Sequence, residues 1–264
     1  MHNHGCEYFS DEQLILKVRL DKLILERGLA PSRERAQALI IAGKILVNAQ
    51  KIEKPGTNVD AEVDLRLLGE DLKYVSRGGL KLERALDHWK IDVKGKICLD
   101  VGASTGGFTD CLLQCGAQNV IAIDTGYGQI DFGLRQNARV RLLEKTNARY
   151  ITREQLGESI DFIAMDVSFI SATLVLPAVI AAAFPETHTE LASREMVVLV
   201  KPQFEVGREQ VGKGGIVRDE TAQLGAVERV HRVVAELGGT NIEAIDSPIL
   251  GTEGNREFLL HAAF

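Results

Sequence analysis

One of the most apolar stretches of the chain, MVVLV at residues 196–200, ends on Lys201, and Pro202 follows at once. A lysine at the end of a buried strand must bring its charge to a cavity, lose it, or find a partner. A second apolar run ends on Asp166 in the same manner, in AMDVSF. If the two runs are neighbouring strands of an open parallel sheet, their ends lie about 5 Å apart, and both side chains point into one crevice. Lys81, in YVSRGGLKLERAL, and Glu257, in GNREFLL, add a second cation and a second anion. Two structural salt bridges are one reading of this cluster. Exposed pairs of that kind contribute only about 0–1 kcal/mol, which leaves charges at buried strand ends poorly explained by stability. Proton transfer is the other reading. Lysine serves as a base when desolvation and a second cation lower its pKa toward neutrality. Lys201 would be that base and Lys81 that cation. Asp166 would steer the ammonium and the reacting hydroxyl, and Glu257 would orient Lys81 or the substrate. Arginine could not substitute, because it does not give up its proton.

Between Lys81 and Asp166 lies DVGASTGGFTD, residues 100–110. Glycines after a strand let the backbone approach a ligand, and the following helix offers free N–H groups. The spacing Gly102, Gly106, Gly107 is not G-x-G-x-x-G, so the pyrophosphate fingerprint is missing. Asp100 would repel a phosphate but suits a cationic ligand with an amino-acid end. S-adenosylmethionine carries both a sulfonium and an α-ammonium. Asp100, Gly102, Ala103, Ser104, Gly106, Gly107 and Phe108 are therefore the candidate cofactor loop. Asp124, ending the next apolar run, is placed to accept from ribose hydroxyls, and Asn147, ending the third, to meet an adenine. A purely structural strand–helix turn is the alternative, and for Asn147 alone both readings stand open.

Seven apolar runs must hold these residues, at 96–102, 119–126, 140–149, 161–168, 195–203, 241–249 and 257–264. The first five alternate with helical patterns, as in a parallel sheet covered on both faces. A helix over 219–237 precedes the sixth. Only LGTEGNR joins the last two, too short for a crossover helix, so they should pair antiparallel. The expected class is α/β. A seven-stranded sheet closed by such a hairpin looks like the methyltransferase variant of the Rossmann fold. The segment FEVGREQVGKGGIVRD, residues 204–219, is long, glycine-rich and basic at Arg208, Lys213 and Arg218; it reads as a mobile flap.

The 264 residues, 45% of them hydrophobic, suffice for one large and one small domain without a disulfide scaffold. Cys6, Cys98, Cys111 and Cys115 form no CxxC pair and read as reduced, packed thiols. His2, His4 and Cys6 fall in an N-terminal extension expected to be mobile, and no metal site is expected. With no apolar run near 18 residues and no signal-peptide core, the protein is expected to be soluble, cytoplasmic and without a membrane partner. The net charge is −6, yet residues 17–56 carry +5, which leaves −11 on the rest. A basic segment on an acidic body suggests a local footprint for phosphate. That segment reads as a short helix stopped at Gly28, a second helix capped by Ser32 and ending near Gly43, and a hairpin turning at Asn48–Ala49.

Its motifs, R-L-D-x-L, S-R-x-x-A-x-x-L-I, G-x-I-x-V-N and K-P-G, resemble the small RNA-binding domain of pseudouridine synthases, bacterial tyrosyl-tRNA synthetases and a small-subunit ribosomal protein. The resemblance spans residues 18–60 and implies recognition of folded RNA by shape and phosphate, with Arg19, Lys22, Arg33, Arg35, Lys44 and Lys54 as contacts and Arg208 and Lys213 joining from the flap. Ala49 departs from it, since glycine is usual after the asparagine and a turn with positive φ strains alanine. The order Lys81, Asp166, Lys201, Glu257 resembles the K-D-K-E tetrad of FtsJ-type ribose 2′-O-methyltransferases. With SRGGLKL, DVGASTGGFTD, DVSF, VKPQFE, GKGGIVRD and GNREFL, the chain resembles the TlyA family of ribosomal-RNA 2′-O-methyltransferases, which is also called hemolysin-like. The resemblance implies a Rossmann-like seven-stranded S-adenosylmethionine-dependent methyltransferase domain behind a small α+β RNA-binding domain, a cytidine ribose as acceptor, and ribosomal subunits as partners of a monomer. The expected division is an extension over 1–16, an RNA-binding domain over 17–65, a linker over 66–80 and the methyltransferase domain over 81–264. Tyr74–Arg77 of the linker is a candidate for coupling RNA docking to cofactor binding, and the polar insertion FPETHTELASREM is given no role. Two rival readings are a non-catalytic ribosome-assembly factor and a membrane-active hemolysin. An intact tetrad argues against the first, and the lack of a membrane-spanning or strongly cationic amphipathic segment against the second.

Overall fold

Apolar side chains sort the chain into two units, residues 1–71 and 72–264, in a computed structural model that describes residues 17–30, 32–68, 73–185, 194–251 and 254–264. The N-terminal extension with His2, His4 and Cys6, part of the linker, and most of the polar insertion lie outside the described residues.

In the first unit, β1 (Lys17–Arg19) leads into α1 (Leu20–Glu26), and α2 (Arg33–Ile41) follows. Ser32 caps α2 as its type and position require, its Oγ accepting from the Arg35 N–H at 3.2 Å. Leu20, Leu23 and Ile24 of α1 and Ala36, Leu39 and Ile40 of α2 lie a helical period apart and bury one shared core with Ile45 and Val47. The hairpin is β2 (Ile45–Val47) with β3 (Gln50–Lys51), and Val47 pairs with Gln50 across the expected turn. Asn48 at φ 50° and Ala49 at φ 65° both sit in the left-handed region, as a two-residue type I′ turn demands. Two further strands escape the sequence patterns because they are short and half polar. β4 (Asn58–Asp60) pairs with β1, and β5 (Leu65–Leu67) pairs with β2.

The second unit opens with α3 (Gly78–Trp89) and then alternates strand and helix: β6 (Ile97–Val101), α4 (Gly107–Gln114), β7 (Asn119–Ile123), α5 (Phe132–Arg135), β8 (Val140–Leu143), α6 (Arg153–Leu156), β9 (Phe162–Met165), α7 (Leu176–Ala183), β10 (Glu195–Val200), α8 (Pro202–Glu205), α9 (Glu220–Glu236), β11 (Thr240–Asp246) and β12 (Phe258–Ala263). The sheet runs β11-β12-β10-β9-β6-β7-β8, with β12 antiparallel to both neighbours. Alternate strand residues feed opposite faces. Cys98, Phe162 and Val197 pack under α3 and α4, whereas Leu99, Ile163 and Val198 pack against α7 and α9. The last strand in sequence is therefore interior and buried from Phe258 to Ala262, while β11 is an edge strand with mostly exposed or half-buried residues. Among the described residues no helix is long and apolar enough to cross a membrane.

Alanine at a left-handed position is strained where glycine is not. Ala49→Gly should stabilise the first unit by about 0.5–1 kcal/mol, read as a higher urea midpoint for the transition that unfolds residues 17–68.

Candidate active site

Parallel strand ends converge on the same edge of the sheet, so each residue just past a strand faces that edge. Asp166 follows β9 and Lys201 follows β10, and these strands are direct neighbours. Lys201 Nζ lies 2.5 Å from Asp166 Oδ1 and donates a hydrogen bond to Ser168 Oγ at 2.6 Å. The Asp166 contact is close but poorly aligned, and its Oδ1 accepts no directed hydrogen bond, so the pairing there is chiefly electrostatic. Lys81, one turn into α3, donates to Glu257 Oε2 at 2.5 Å, just before β12. The four expected residues thus divide into two ion pairs, Lys201 with Asp166 and Lys81 with Glu257. All four line one cavity of about 290 Å³. Lys81, Lys201 and Glu257 are buried, and Asp166 is the more open member. Ion pairs so buried return little net stability, because desolvation offsets their attraction.

The loop after β6 closes the other wall. Gly102 has φ +90°, and a Cβ there would sit 2.4 Å from the Asp166 carbonyl oxygen. A Cβ at Gly107 would lie 2.9 Å from the Gly79 nitrogen and 2.3 Å from Ser76 Oγ. These glycines serve close approach between protein segments: the first brings Asp166 against the loop, and the second lets α3 and α4 begin side by side. Lys81 is thereby held opposite Glu257. Gly102, Ala103, Ser104, Gly107 and Phe108 line the cavity beside the ion pairs, and Phe108 also packs into the core beneath α3. A second cavity of about 470 Å³ shares Gly102, Ser104, Asp166 and Ser168 with the first and extends past Asp124 and Asn147. Asp124 accepts from the Ser104 N–H at 2.8 Å and the Gly126 N–H at 2.6 Å, which stitches the loops after β6 and β7 together. Asn147 Oδ1 accepts from the Arg149 N–H at 3.1 Å.

Gly106 and Asp100 line neither cavity. Asp100 is wholly buried beneath the loop. Its Oδ2 accepts from Thr109 Oγ1 at 2.6 Å, while Oδ1 has no partner. Burial pushes its carboxyl up to about 7, with the charges of Asp166 and Asp124 adding to the shift and the Thr109 hydroxyl opposing it. An idle buried carboxylate oxygen, beside a two-lobed cavity with acids in both lobes and apolar Ile123, Ile170 and Val175 in the larger, fits a ligand with a cationic amino-acid end and a nucleoside end.

One polar residue of the site, Ser168, and two that brace segments beside it, Glu205 and Asn255, carried no assignment in the sequence. Ser168 stands two places after Asp166 within DVSF, and a hydroxyl so close behind a strand-end acid was the available signal. Glu205 is buried, its carboxylate accepting from Ser171 Oγ and, at 2.7 Å, from the Ala172 N–H; burial raises its pKa. Asn255 is buried too, accepting from the Val217 N–H at 3.0 Å and donating to the Gly215 carbonyl at 2.8 Å. Residues 204–219 are therefore pinned at both ends, by Glu205 and by Val217, with Arg208, Lys213 and Arg218 exposed between or beside the pins.

In the first unit, Arg19 donates through Nε and Nη2 to both oxygens of Asp21, and Arg33 Nε and Gln37 Nε2 donate to Oδ2, each at 2.9 Å. The Arg19 hydrogen bonds, with those of Gln37 and Arg33, hold the Asp21 carboxyl well below the usual carboxylate range against its burial. The arginines themselves shield that acid from solvent while staying partly exposed. Lys22 and Lys54 are exposed, and Arg35 and Lys44 are half-buried.

A family model described as FtsJ-like methyltransferase matches residues 74–264, and one described as S4 domain matches residues 18–65. The chain is 46% identical over 246 residues to a Bacillus subtilis protein named as a candidate rRNA methyltransferase, YqxC, covering 93% of this chain and 85% of that one. It is 43% identical over 245 residues to the 16S/23S rRNA (cytidine-2'-O)-methyltransferase TlyA of Mycobacterium tuberculosis, covering 92% and 89%. A solved structure of a candidate hemolysin from Streptococcus thermophilus matches with a TM-score of 0.69 at 42% identity, over 94% of this chain and 89% of that one.

An acid whose folded pKa exceeds its unfolded value burdens the folded state at high pH and ceases to do so as pH falls through that interval, for Asp100 from about 7 toward about 4. Asp100→Asn should therefore stabilise the ligand-free protein more at pH 8 than at pH 5, by roughly 2 kcal/mol. Equal gains in denaturation midpoint at both pH values would refute the assignment.

Proposed function

The chain belongs to the FtsJ-like methyltransferase family and carries an S4 domain ahead of that fold, and on this footing we propose that it transfers a methyl group from S-adenosylmethionine to a cytidine 2′-hydroxyl in ribosomal RNA. One observation carries the reading: Lys201 ends a buried strand with its amine in a cavity, 2.5 Å from Asp166 and backed by the Lys81–Glu257 pair. S-adenosylmethionine, when bound, supplies an electrophilic methyl whose bond to sulfur breaks with both electrons returning to sulfur. Gly102, Ser104 and the start of α4 would hold its amino-acid end, with the Asp100 carboxyl buried beneath them, and Asp124 and Asn147 its nucleoside end.

A ribose hydroxyl is too weakly acidic to ionise at neutral pH, so a base must take its proton as the new bond forms. Lys201 in its unprotonated form accepts that proton, the ribose oxygen forms the bond to carbon, and the lysine is left as an ammonium facing Asp166. Asp166 stabilises the positive charge as it appears, which is where fixed charge is most effective. Lys81 and Glu257 orient the ribose from the opposite wall. The first unit grips RNA through Arg19, Lys22, Arg33, Arg35, Lys44 and Lys54, and Arg208 and Lys213 add exposed cations on the segment after Lys201. One chain holds the RNA-binding unit and all four cluster residues, so a monomer suffices, and the substrate places the protein in the cytoplasm.

Unmodified small and large ribosomal subunits, offered separately with labelled S-adenosylmethionine, test the reading. Lys201→Ala should lower incorporation by at least about 100-fold with cofactor binding retained. Lys201→Arg should be as inactive, since arginine keeps its charge without accepting a proton. Full activity in either variant rules Lys201 out as the base.

Arg33 is tied to Asp21, so reversing its charge would disturb the fold as well as RNA binding. Lys22 and Lys54 are the cleaner pair, because the Asp21 N–H donates to the Pro55 carbonyl and brings the two lysines' segments together. Lys22→Glu with Lys54→Glu should weaken RNA binding and reduce the slope of log affinity against log salt by about two. An unchanged slope would remove this surface from the RNA footprint.

A further inference from the structure

A lysine that acts as a base presents a lone pair, and a lone pair has a direction. The unprotonated amine is tetrahedral, with Cε, two N–H bonds and the lone pair at its corners. Rotation about Cε–Nζ lets the lone pair point three ways unless the N–H groups are fixed. At Lys201 the one well-aligned hydrogen bond goes to Ser168 Oγ at 2.6 Å, whereas the 2.5 Å approach to Asp166 Oδ1 lacks that alignment. Ser168 lines both cavities, so its hydroxyl stands where they join. Among the described residues this is the hydroxyl's only hydrogen bond.

Ser168 is itself held from behind. Three residues later, Ser171 Oγ and the Ala172 N–H are bound by the buried carboxylate of Glu205, on the segment that begins with Lys201. Between these contacts Phe169, at φ +65°, lies against Phe204 with ring centroids 5.5 Å apart and planes tilted by 51°. Arg229 of α9 donates to the Glu205 carbonyl, fixing that segment to the helix layer. The stretches 166–172 and 201–205 are thus joined at successive points, by the part-buried Lys201–Ser168 and Ser171–Glu205 bonds and the buried Ala172–Glu205 bond.

We infer that Ser168 is a positioning residue for the proton transfer: its oxygen takes one N–H of Lys201, leaves the other toward Asp166, and so aims the lone pair at the ribose hydroxyl. The inference rests on Lys201 being the base. When the proton moves from the ribose oxygen to Nζ, the amine gains a third N–H in the direction of the substrate and keeps its bond to Ser168, so no side chain has to reorient during the step. Losing the aim costs rate and leaves binding alone, because Ser168 adds no charge and neither ion pair depends on it.

The test uses the full chain on unmodified ribosomal subunits, with wild type, Ser168→Ala, Ser168→Thr and Lys201→Ala compared. Ser168→Ala should lower kcat by about 10- to 100-fold, with KM for the subunit and Kd for S-adenosylmethionine within about threefold of wild type. Ser168→Thr, which restores a hydroxyl at the same carbon, should recover kcat to within about threefold. A Ser168→Ala enzyme with wild-type kcat overturns the positioning role while an inactive Lys201→Ala keeps the base assignment standing. A Lys201→Ala enzyme that still turns over overturns both. A Ser168→Ala enzyme that loses cofactor affinity in step with kcat also overturns the inference, since the residue would then be part of the binding wall.

Discussion

Two buried lysines, each compensated by one carboxylate, set the terms for the larger unit. An amine taken out of water needs a polar partner, and Lys201 and Lys81 find theirs at 2.5 Å in Asp166 and Glu257 respectively. The partners come from four separate places, α3 and the chain just beyond β9, just beyond β10 and just before β12. No local segment could form either pair, so the sheet has to be assembled before any of the four charges is paired. The site is therefore a property of the strand order, and its cost in desolvation is tolerable because the sheet around it buries so much apolar surface on both faces.

Close backbone approach makes that strand order usable. Gly102 lets the loop after β6 pass directly over Asp166, and Gly107 lets α4 start beside α3. Both glycines lie in a segment whose composition suggests ligand contact, and a ligand does have room there. Yet the atoms that forbid a side chain at these two positions belong to the protein. The loop after β6 lacks side chains at these two positions because its neighbours require it, and the two joined cavities are the space left over. Asp124 performs a comparable double duty, closing two loop turns with its carboxylate while facing the larger cavity.

The smaller unit solves a related problem at its surface. Asp21 gathers Arg19, Arg33 and Gln37 around a single acid. The acid gives up access to water, and the arginines gain fixed orientations while remaining partly exposed. A planar guanidinium held in place loses less entropy on meeting a phosphate than a free one. The basic segment visible in the charge count thus becomes an ordered surface in the fold.

Residue patterns alone determined the helices other than α8, the seven strands of the large sheet, the antiparallel pairing of the last two, the Ser32 cap and the turn at Asn48–Ala49, because those follow from periodicities and turn chemistry within a few residues. The membership of Lys81, Asp166, Lys201 and Glu257 in one cavity was legible as well, since strand ends of a parallel sheet share an edge. Tertiary structure alone decided how the four divide into pairs, that the final strand slots between β10 and β11, and that short strands β1, β4 and β5 complete the small unit. It also decided the parts of Ser168, Glu205 and Asn255, whose partners lie 33 to 40 residues away along the chain. A hydroxyl, a carboxylate and an amide carry no pattern that names a distant partner; the fold brings Lys201 to Ser168, and burial obliges Glu205 and Asn255 to find partners.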